Sequence, residues 1–297
     1  MKRVIALGFF DGVHLGHGAL LRRTVELAAH YGAVPAAHTF AQHPSTLVTH
    51  KPTPLLSTAE DRVYLMKTLY GIQEVIVAPF DQAMMTMPWE IFVTDYLVKQ
   101  LEACCVVVGH DYRFGYKGEG TPQRLQALCA QRGIGCAVVD KVTLEGRTVS
   151  STYIRSLIER GELERAGRYL AHPHMIRGVV GHGKGLGRTW GFPTVNIVPP
   201  EEVITPAFGV YASKVTLESG ETYLAATNVG VRPTVQDGRE VTIEAFLLDF
   251  QGDVYGQTVK LELYHHLRWE RPFDSMEELR REVMKNAQQT REYFAGK

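Results

Sequence analysis

At His172-Pro173-His174 the 297-residue chain changes its hydrophobic period, and that break limits the fold more than any other feature. Before it, short apolar runs alternate with segments of helical period. After it, strand-like segments follow one another with only turn signals between them. No single layer architecture satisfies both patterns, so two unlike modules are expected. At ~150 residues per domain, the length agrees with about two.

The runs 4–10, 34–40, 74–79, 104–109 and 136–139 are mostly apolar throughout, as parallel strands covered on both faces are. Helix candidates fall between them at 19–31, 59–70, 89–101 and 122–132. Ser57 or Thr58 can cap the second, Pro88 suits the start of the third, and Thr121-Pro122 opens the fourth. The alternation predicts a doubly wound α/β domain. In 152–170 the stripe Tyr153, Ile154, Leu157 and Ile158 is helical, and Gly161 is placed to end its first helix. Strands are then expected at 175–180, 210–217, 222–228, 241–250 and 258–264, with turns at Ser219-Gly220 and Asp237-Gly238. They imply a small barrel or sandwich. Ser275-Met276-Glu277-Glu278 has the pattern of a capping box and opens a terminal helix. The expected division is 1–155, a helical linker at 156–172, and 173–297.

Lys plus Arg and Asp plus Glu are both 32, so the formal charge is zero and the basic excess of a nucleic-acid binder is missing. No run approaches the ~18 apolar residues that span a bilayer, and the first residues turn too early, at Gly8 and Asp11, for a signal-peptide core. Cys104, Cys105, Cys129 and Cys136 lack metal-ligand spacing and read as buried free thiols of a cytoplasmic protein. The expected partners are therefore small molecules, with neither nucleic acid nor membrane among them.

The first strand runs into Gly8-Phe9-Phe10-Asp11-Gly12-Val13-His14-Leu15-Gly16-His17. Glycines let backbone approach a ligand, a helix end presents free N–H groups, and two histidines across a glycine can donate to phosphate oxygens. A loop with incidental histidines is the alternative. After the fourth strand, His110-Asp111-Tyr112-Arg113-Phe114-Gly115 puts Asp111, Arg113 and Lys117 at the sheet edge where open α/β folds bind ligands. Ser150-Ser151-Thr152-Tyr153-Ile154-Arg155 places hydroxyls at a helix start and a guanidinium one turn in. It reads either as a second phosphate cradle or as simple capping.

Six glycines lie between Gly178 and Gly191. Gly178, four residues, Gly183 and Lys184 nearly form a Walker motif. Gly185 stands where Ser or Thr should hold magnesium, however, and the glycines that follow cannot readily start a helix. A glycine-rich flap is the better reading, with Gly183, Lys184, Gly187 and Arg188 embracing a nucleotide. On the strand that follows, Thr194 and Asn196 point the same way and can both offer oxygen to one Mg²⁺, unless they merely cap a turn. Glu244 sits in an alternating strand, either outward and solvated or inward and able to act as a general base; the pattern leaves its facing open.

Together, Gly8–His17, Val107-Val108-Gly109-His110-Asp111-Tyr112-Arg113-Phe114-Gly115 and Ser150–Arg155 resemble the adenylyltransferase module of bacterial bifunctional riboflavin kinase/FAD synthetases. The second half is similar to riboflavin kinase modules through Pro193-Thr194-Val195-Asn196, Asn228–Thr234 and Glu244–Phe250. The resemblance spans nearly the whole chain. It implies a Rossmann-like nucleotidyltransferase domain followed by a six-stranded Greek-key β-barrel with a terminal helix. The implied enzyme makes FMN from riboflavin and FAD from FMN, with ATP as co-substrate and Mg²⁺ as cofactor. By that resemblance Gly8, Phe10, Asp11, Gly12, His14 and His17 bind ATP, and Ser151, Thr152 and Arg155 close over its triphosphate. Asp111 and Arg113 serve the nucleotide or flavin side. Thr194 and Asn196 hold metal and phosphate, Asn228 and Arg232 bind ATP or flavin, and Glu244 is the base on the ribityl 5′-hydroxyl.

Three departures stand out. Thr39-Phe40-Ala41-Gln42-His43-Pro44 replaces the family's Thr-Phe-Asp-Pro-His-Pro, which opens a second reading: a kinase whose adenylyl transfer is weak or lost. His43 itself reads as a loop residue sooner than a ligand. Val195 replaces Ala opposite the metal-facing side chains, and Asn286 stands where an Asp is common. Arg291, in the same helix, reads as a solvated side chain. A non-catalytic flavin- or nucleotide-binding regulator is the third reading, and the retained Glu244 argues against it.

Overall fold

Five parallel strands organise the first half: β1 (Arg3–Leu7), β2 (Val34–Phe40), β3 (Glu74–Ala78), β4 (Ala103–Gly109) and β5 (Gly135–Val139), in the order β3-β2-β1-β4-β5. The computed structural model describes residues 1–49, 53–181, 194–233 and 239–296, and its chain divides into the units Met1–Ser151 and Thr152–Lys297. In the first unit β1 is central, and the chain winds away from it in both directions. The strand order therefore reverses between β1 and β4, opening a crevice at their carboxyl ends.

Helices α1 (Leu15–Tyr31), α2 (Pro44–Thr49), α3 (Ala59–Tyr70), α4 (Gln82–Thr86), α5 (Trp89–Ile91) and α6 (Pro122–Gln131) connect the strands. The expected helix at 89–101 is a short α5 followed by a π-helical stretch, Phe92–Gln100, with Phe92, Val93 and Leu97 buried. Thr58 caps α3 by accepting from the Asp61 amide, and Thr121 caps α6 ahead of Pro122. One face of the sheet buries Ile5, Leu7, Val106 and Val108 against Phe92, Leu97, Leu125 and Cys129. Full burial of one such aliphatic side chain is worth about 1.5–3 kcal/mol. All four cysteines are free thiols, two buried and two half-buried.

His38 is fully buried in β2, its Nε2 3.0 Å from the Tyr96 hydroxyl and its ring edge-on to Phe40, Phe92 and Tyr96. Burial lowers its pKa to about 4, against about 6.5 in an unfolded chain. Between those values the unfolded state binds more protons, so stability falls as pH drops through that window. At pH 5 this one group should cost about 2 kcal/mol relative to neutral pH. His38→Gln keeps a partner for Tyr96 and has no proton to gain. Amide exchange of β2 at pH 7 and pH 5 should show a correspondingly smaller pH effect in that variant; an unchanged pH effect would refute the assignment.

The second unit contains all of α7 (Ser151–Glu159) but its first residue, α8 (Leu163–Leu170) and a closed barrel of β8 (His174–Gly181), β9 (Thr194–Val198), β10 (Gly209–Thr216), β11 (Thr222–Pro233), β12 (Arg239–Leu247) and β13 (Thr258–Trp269). Gly161, at φ +76°, separates α7 from α8, and α8 packs on β8 and β13. All neighbouring barrel strands are antiparallel, in the order β10-β11-β12-β9-β8-β13. The connections β9 to β10 and β12 to β13 skip neighbours, which makes the barrel a Greek key. Among the described residues its strands bury mostly apolar side chains together with His174, Thr227 and Ser213, whose hydroxyl lies 2.6 Å from the Thr227 hydroxyl and donates to the Ala225 carbonyl at 2.7 Å. Strand β12 stops at Leu247, short of residue 250, and Asp249 is left-handed at φ +61°. The expected turn at Asp237-Gly238 lies outside the described residues.

Ser275 caps α9 (Met276–Ala295), accepting from the Glu278 amide. Glu278 reaches back to the amide of Asp274, one residue before the cap. Helix α9 packs on β10 and β11.

Candidate functional site

The first site grows from the corner after β1. Phe10 and Val13 adopt φ of +59° and +42°, unusual for side chains of their size, and Gly12 lies between them at +71°. Hydrogen bonds hold this tight turn from outside. Asp11 Oδ1 accepts from the amides of Leu56 (2.7 Å) and Ser57 (3.3 Å), Ser57 Oγ accepts from the Gly12 amide, and Ser151 Oγ donates to the Asp11 carbonyl at 3.1 Å. Phe10, Asp11 and Gly12 are thus buried scaffold behind the cleft described below.

Helix α1 begins at Leu15, four residues earlier than the spacing predicts, because His14 is its N-cap. His14 Nδ1 accepts from the His17 amide at 3.2 Å, which leaves the proton of the neutral ring on Nε2. The two imidazoles stack with centroids 3.6 Å apart and 9° between planes. Burial holds the His17 pKa well below the ordinary value, and neighbouring His14 and Arg62 lower it further. His17 is therefore a neutral ring at the amino end of a 17-residue helix, where free N–H groups and the helix dipole favour an anion. Gly16 and Gly18 lie inside the helix's first turn. A side chain at Gly18 would meet the Tyr70 ring at 2.8 Å.

These histidines face a cleft of about 290 Å³, with Gly8, Phe9, Asp111, Thr148, Ser150 and Ser151 among its other walls. A hairpin brings in the last three: β6 (Thr143–Leu144) and β7 (Arg147–Thr148) join through Glu145 and Gly146, both at positive φ. Next to it lies a cavity of about 670 Å³ lined by Phe9, Phe40, Phe80, Phe92, Phe114, Met84 and Met85, with His43, Asp111 and Arg113 as its charged or polar groups. Gly8, Phe9, Asp111 and Tyr112 line both. A polar phosphate-sized cleft therefore shares a wall with a flat-sided aromatic cavity. Phe80, Met84 and Met85 escape the motif search because they follow β3, whose carboxyl end carries no glycine motif and whose nearby Asp81 serves as the cap of α4. His43, expected to be a loop residue, packs edge-on against Phe9 at 4.6 Å and lines the aromatic cavity. Thr152 and Arg155 follow Ser151 on α7 in the second unit, with Arg155 Nη2 3.4 Å from Thr152 Oγ1.

In the barrel, register resolves what periodicity left open. Gly181 pairs with Asn196, Asn196 with Glu244, and Glu244 with Asn228; two residues along, Thr194 pairs with Phe246. The intervening Val195, Ile197, Ile243, Ala245 and Leu247 are buried in the interior. Thr194, Asn196, Asn228, Glu244 and Phe246 therefore share the outer face, each half-buried. Glu244 is outward without being fully solvated, a combination neither sequence alternative contained. Glu270 joins this face: a Cβ on Gly230 would lie 3.1 Å from its carboxyl carbon and 3.3 Å from Asn228 Nδ2. Gly183, Lys184, Gly187 and Arg188 lie outside the described residues. The backbone of Arg232 pairs with Glu240, and its side chain is likewise outside.

Asn286 is buried in α9, where its Oδ1 accepts from Arg268 Nε at 3.1 Å; Glu282 supplies the negative charge 3.7 Å from the same nitrogen. Arg291, read from the sequence as solvated, pairs with Asp249 at 2.8 Å. Among the described residues no cluster of three or more His, Cys, Asp or Glu is arranged to hold a metal, and no helix is long and apolar enough to cross a membrane.

A family model described as FAD synthetase matches residues 1–153, and one described as riboflavin kinase matches residues 170–294. A bifunctional riboflavin kinase/FMN adenylyltransferase of Listeria monocytogenes is 38% identical over 99% of this chain and 93% of its own. The protein of the same description from Bacillus subtilis is 35% identical over the same shares. A crystal structure described as a macrolide-efflux protein from Streptococcus pneumoniae superposes with a TM-score of 0.86 at 29% identity, covering 98% of this chain and 94% of that one. Both modules, in this order and over nearly the full length, are those of one group of proteins, and the chain belongs to the family of bifunctional riboflavin kinase/FMN adenylyltransferases.

Proposed function

We propose that the chain phosphorylates riboflavin to FMN on its barrel and adenylylates FMN to FAD on its α/β unit, consuming ATP in both steps. The observation that carries the second step is the shared wall between the histidine cleft and the aromatic cavity. ATP fits the cleft, with its phosphates toward His14, His17, Ser151 and the start of α1; the motif assigns Thr152 and Arg155 to the same triphosphate. The flavin ring fits among Phe9, Phe40, Phe80 and Phe92, with the Arg113 guanidinium and the His43 ring near its phosphate. An FMN phosphate oxygen then attacks the α-phosphorus across the wall, the bond to the β-phosphate breaks, and pyrophosphate leaves. No side-chain nucleophile is needed, so positioning and charge stabilisation carry the rate.

On the barrel, Glu244 takes the proton of the ribityl 5′-hydroxyl as that oxygen attacks the γ-phosphorus of ATP and ADP departs. Gly183, Lys184, Gly187 and Arg188 embrace the nucleotide, and Asn228 and Arg232 help hold the substrates. The hard, neutral oxygens of Thr194 and Asn196 lie on the Glu244 face and suit Mg²⁺, which would neutralise phosphate charge when bound. Neutral overall charge and free thiols support a cytoplasmic enzyme of small molecules.

Ala41 and Gln42 favour a second reading, in which adenylyl transfer is weak. Incubation with riboflavin and Mg-ATP, followed by chromatography of the flavins, decides between them. FMN and FAD together are expected; FMN alone supports the weaker reading, and neither product overturns both.

A further inference from the structure

The α/β unit buries a cation that the proposed chemistry does not yet use. Arg62, on α3, is fully buried. Its Nη1 donates to the Phe9 carbonyl at 3.2 Å, and its Nη2 to the carbonyls of Phe40 (2.8 Å) and Ala41 (3.3 Å). Its Nε has no hydrogen-bond partner among the described residues. Burial is costly enough to lower its pKa to about 10. An apolar side chain of similar volume commonly serves stability as well as a buried charge does, so the location of its acceptors is informative.

All three acceptors lie just beyond or at the carboxyl ends of β1 and β2, where the ladder no longer occupies the carbonyls. Phe9 and Phe40 both line the aromatic cavity. The guanidinium carbon also stands 4.1 Å from the centroid of the Phe9 ring, while His43 meets that ring edge-on at 4.6 Å. Thr39 Oγ1 donates to the same Phe9 carbonyl at 2.8 Å. Phe9 is thus fixed by backbone and by ring, and it is one of the residues that line both cavities.

We infer that Arg62 is a positioning residue for adenylyl transfer: from beneath, it locks the Phe9 wall so that the two phosphates meet in line. This rests on the adenylyltransferase reading of the site. Because Arg62 lowers the His17 pKa as well, it also favours the neutral form of that ring.

The test compares Arg62→Met and Arg62→Lys with wild type in the full chain. FAD formation is measured over a range of FMN and ATP, and riboflavin phosphorylation by the same preparations serves as an internal control. For Arg62→Met, kcat for FAD should fall about 100-fold, the scale of a 1 Å misplacement, with both KM values within about threefold and FMN formation unchanged. Arg62→Lys, which keeps the charge but lacks the planar fork, should recover part of the rate and supplies the readout if the Met variant does not fold. In a cycle with Phe9→Leu, the double variant should be no slower than the slower single variant. A kcat within twofold of wild type in Arg62→Met, or losses that multiply in the cycle, would overturn the role. Wild type that makes no FAD would overturn the functional reading and this role together. Wild type that makes FAD beside an unaffected Arg62→Met overturns this role alone.

Discussion

Glu244→Gln should slow FMN formation by about 10³-fold while leaving FAD formation from supplied FMN within twofold of wild type. General-base catalysis by a positioned side chain contributes about 10²–10⁴-fold, and glutamine removes the proton acceptor with almost no change of shape. The site around it should survive the change, because the row Gly181, Asn196, Glu244 and Asn228 is set by backbone pairing across β8, β9, β12 and β11. The KM for riboflavin should therefore move little while kcat collapses. Chromatographic assay of both half-reactions on one preparation checks this. Equal loss of both activities, or undiminished FMN formation, would remove Glu244 from the role.

The mirror-image result is expected of the histidines. His17→Ala should reduce FAD formation about 10²–10³-fold, the usual loss on removing one donor to developing charge, with riboflavin phosphorylation intact. His14 needs a subtler substitution, since it also caps α1. An alanine there would mix a cap loss of about 1 kcal/mol with any catalytic effect. His14→Asn keeps a good cap and discards the imidazole, so thermal stability should be nearly unchanged while FAD formation falls by a similar factor. If His14→Asn retained the wild-type rate, the side chain would be a cap and nothing more.

Much of this molecule was legible beforehand because periodicity and motif order are local properties. The apolar runs that became β1, β2 and β4 needed no partner to be recognised, and Gly161 announced the end of a helix. What escaped was set by contacts distant in sequence. The spacing starts the first helix only at residue 19; the early start of α1 depends on His14 accepting from the His17 amide, and Gly18 leaves room for Tyr70. Nothing in the helix candidate at 59–70 marks Asp61 and Arg62 as buried, yet both are, because α3 packs against the turn after β1. The strand of Glu244 carries apolar residues on both faces, so only pairing with Asn196 could show which one forms the barrel interior. The aromatic cavity is drawn from residues between Gly8 and Gly118, and no single stretch advertises it.

The outward row on the barrel makes enzymatic turnover a certificate of correct folding. A slip of one residue of β12 against its neighbours β9 and β11 would turn Glu244 inward and send Ile243 and Ala245 to the surface. Such a molecule would lose its core and its proton acceptor in the same error. Misregistered chains therefore cannot persist as folded molecules with slightly impaired activity; they fail on both counts. FMN production per molecule during refolding should count the barrels that have closed in register, a quantity that a spectroscopic measure of β content cannot distinguish from its slipped neighbours.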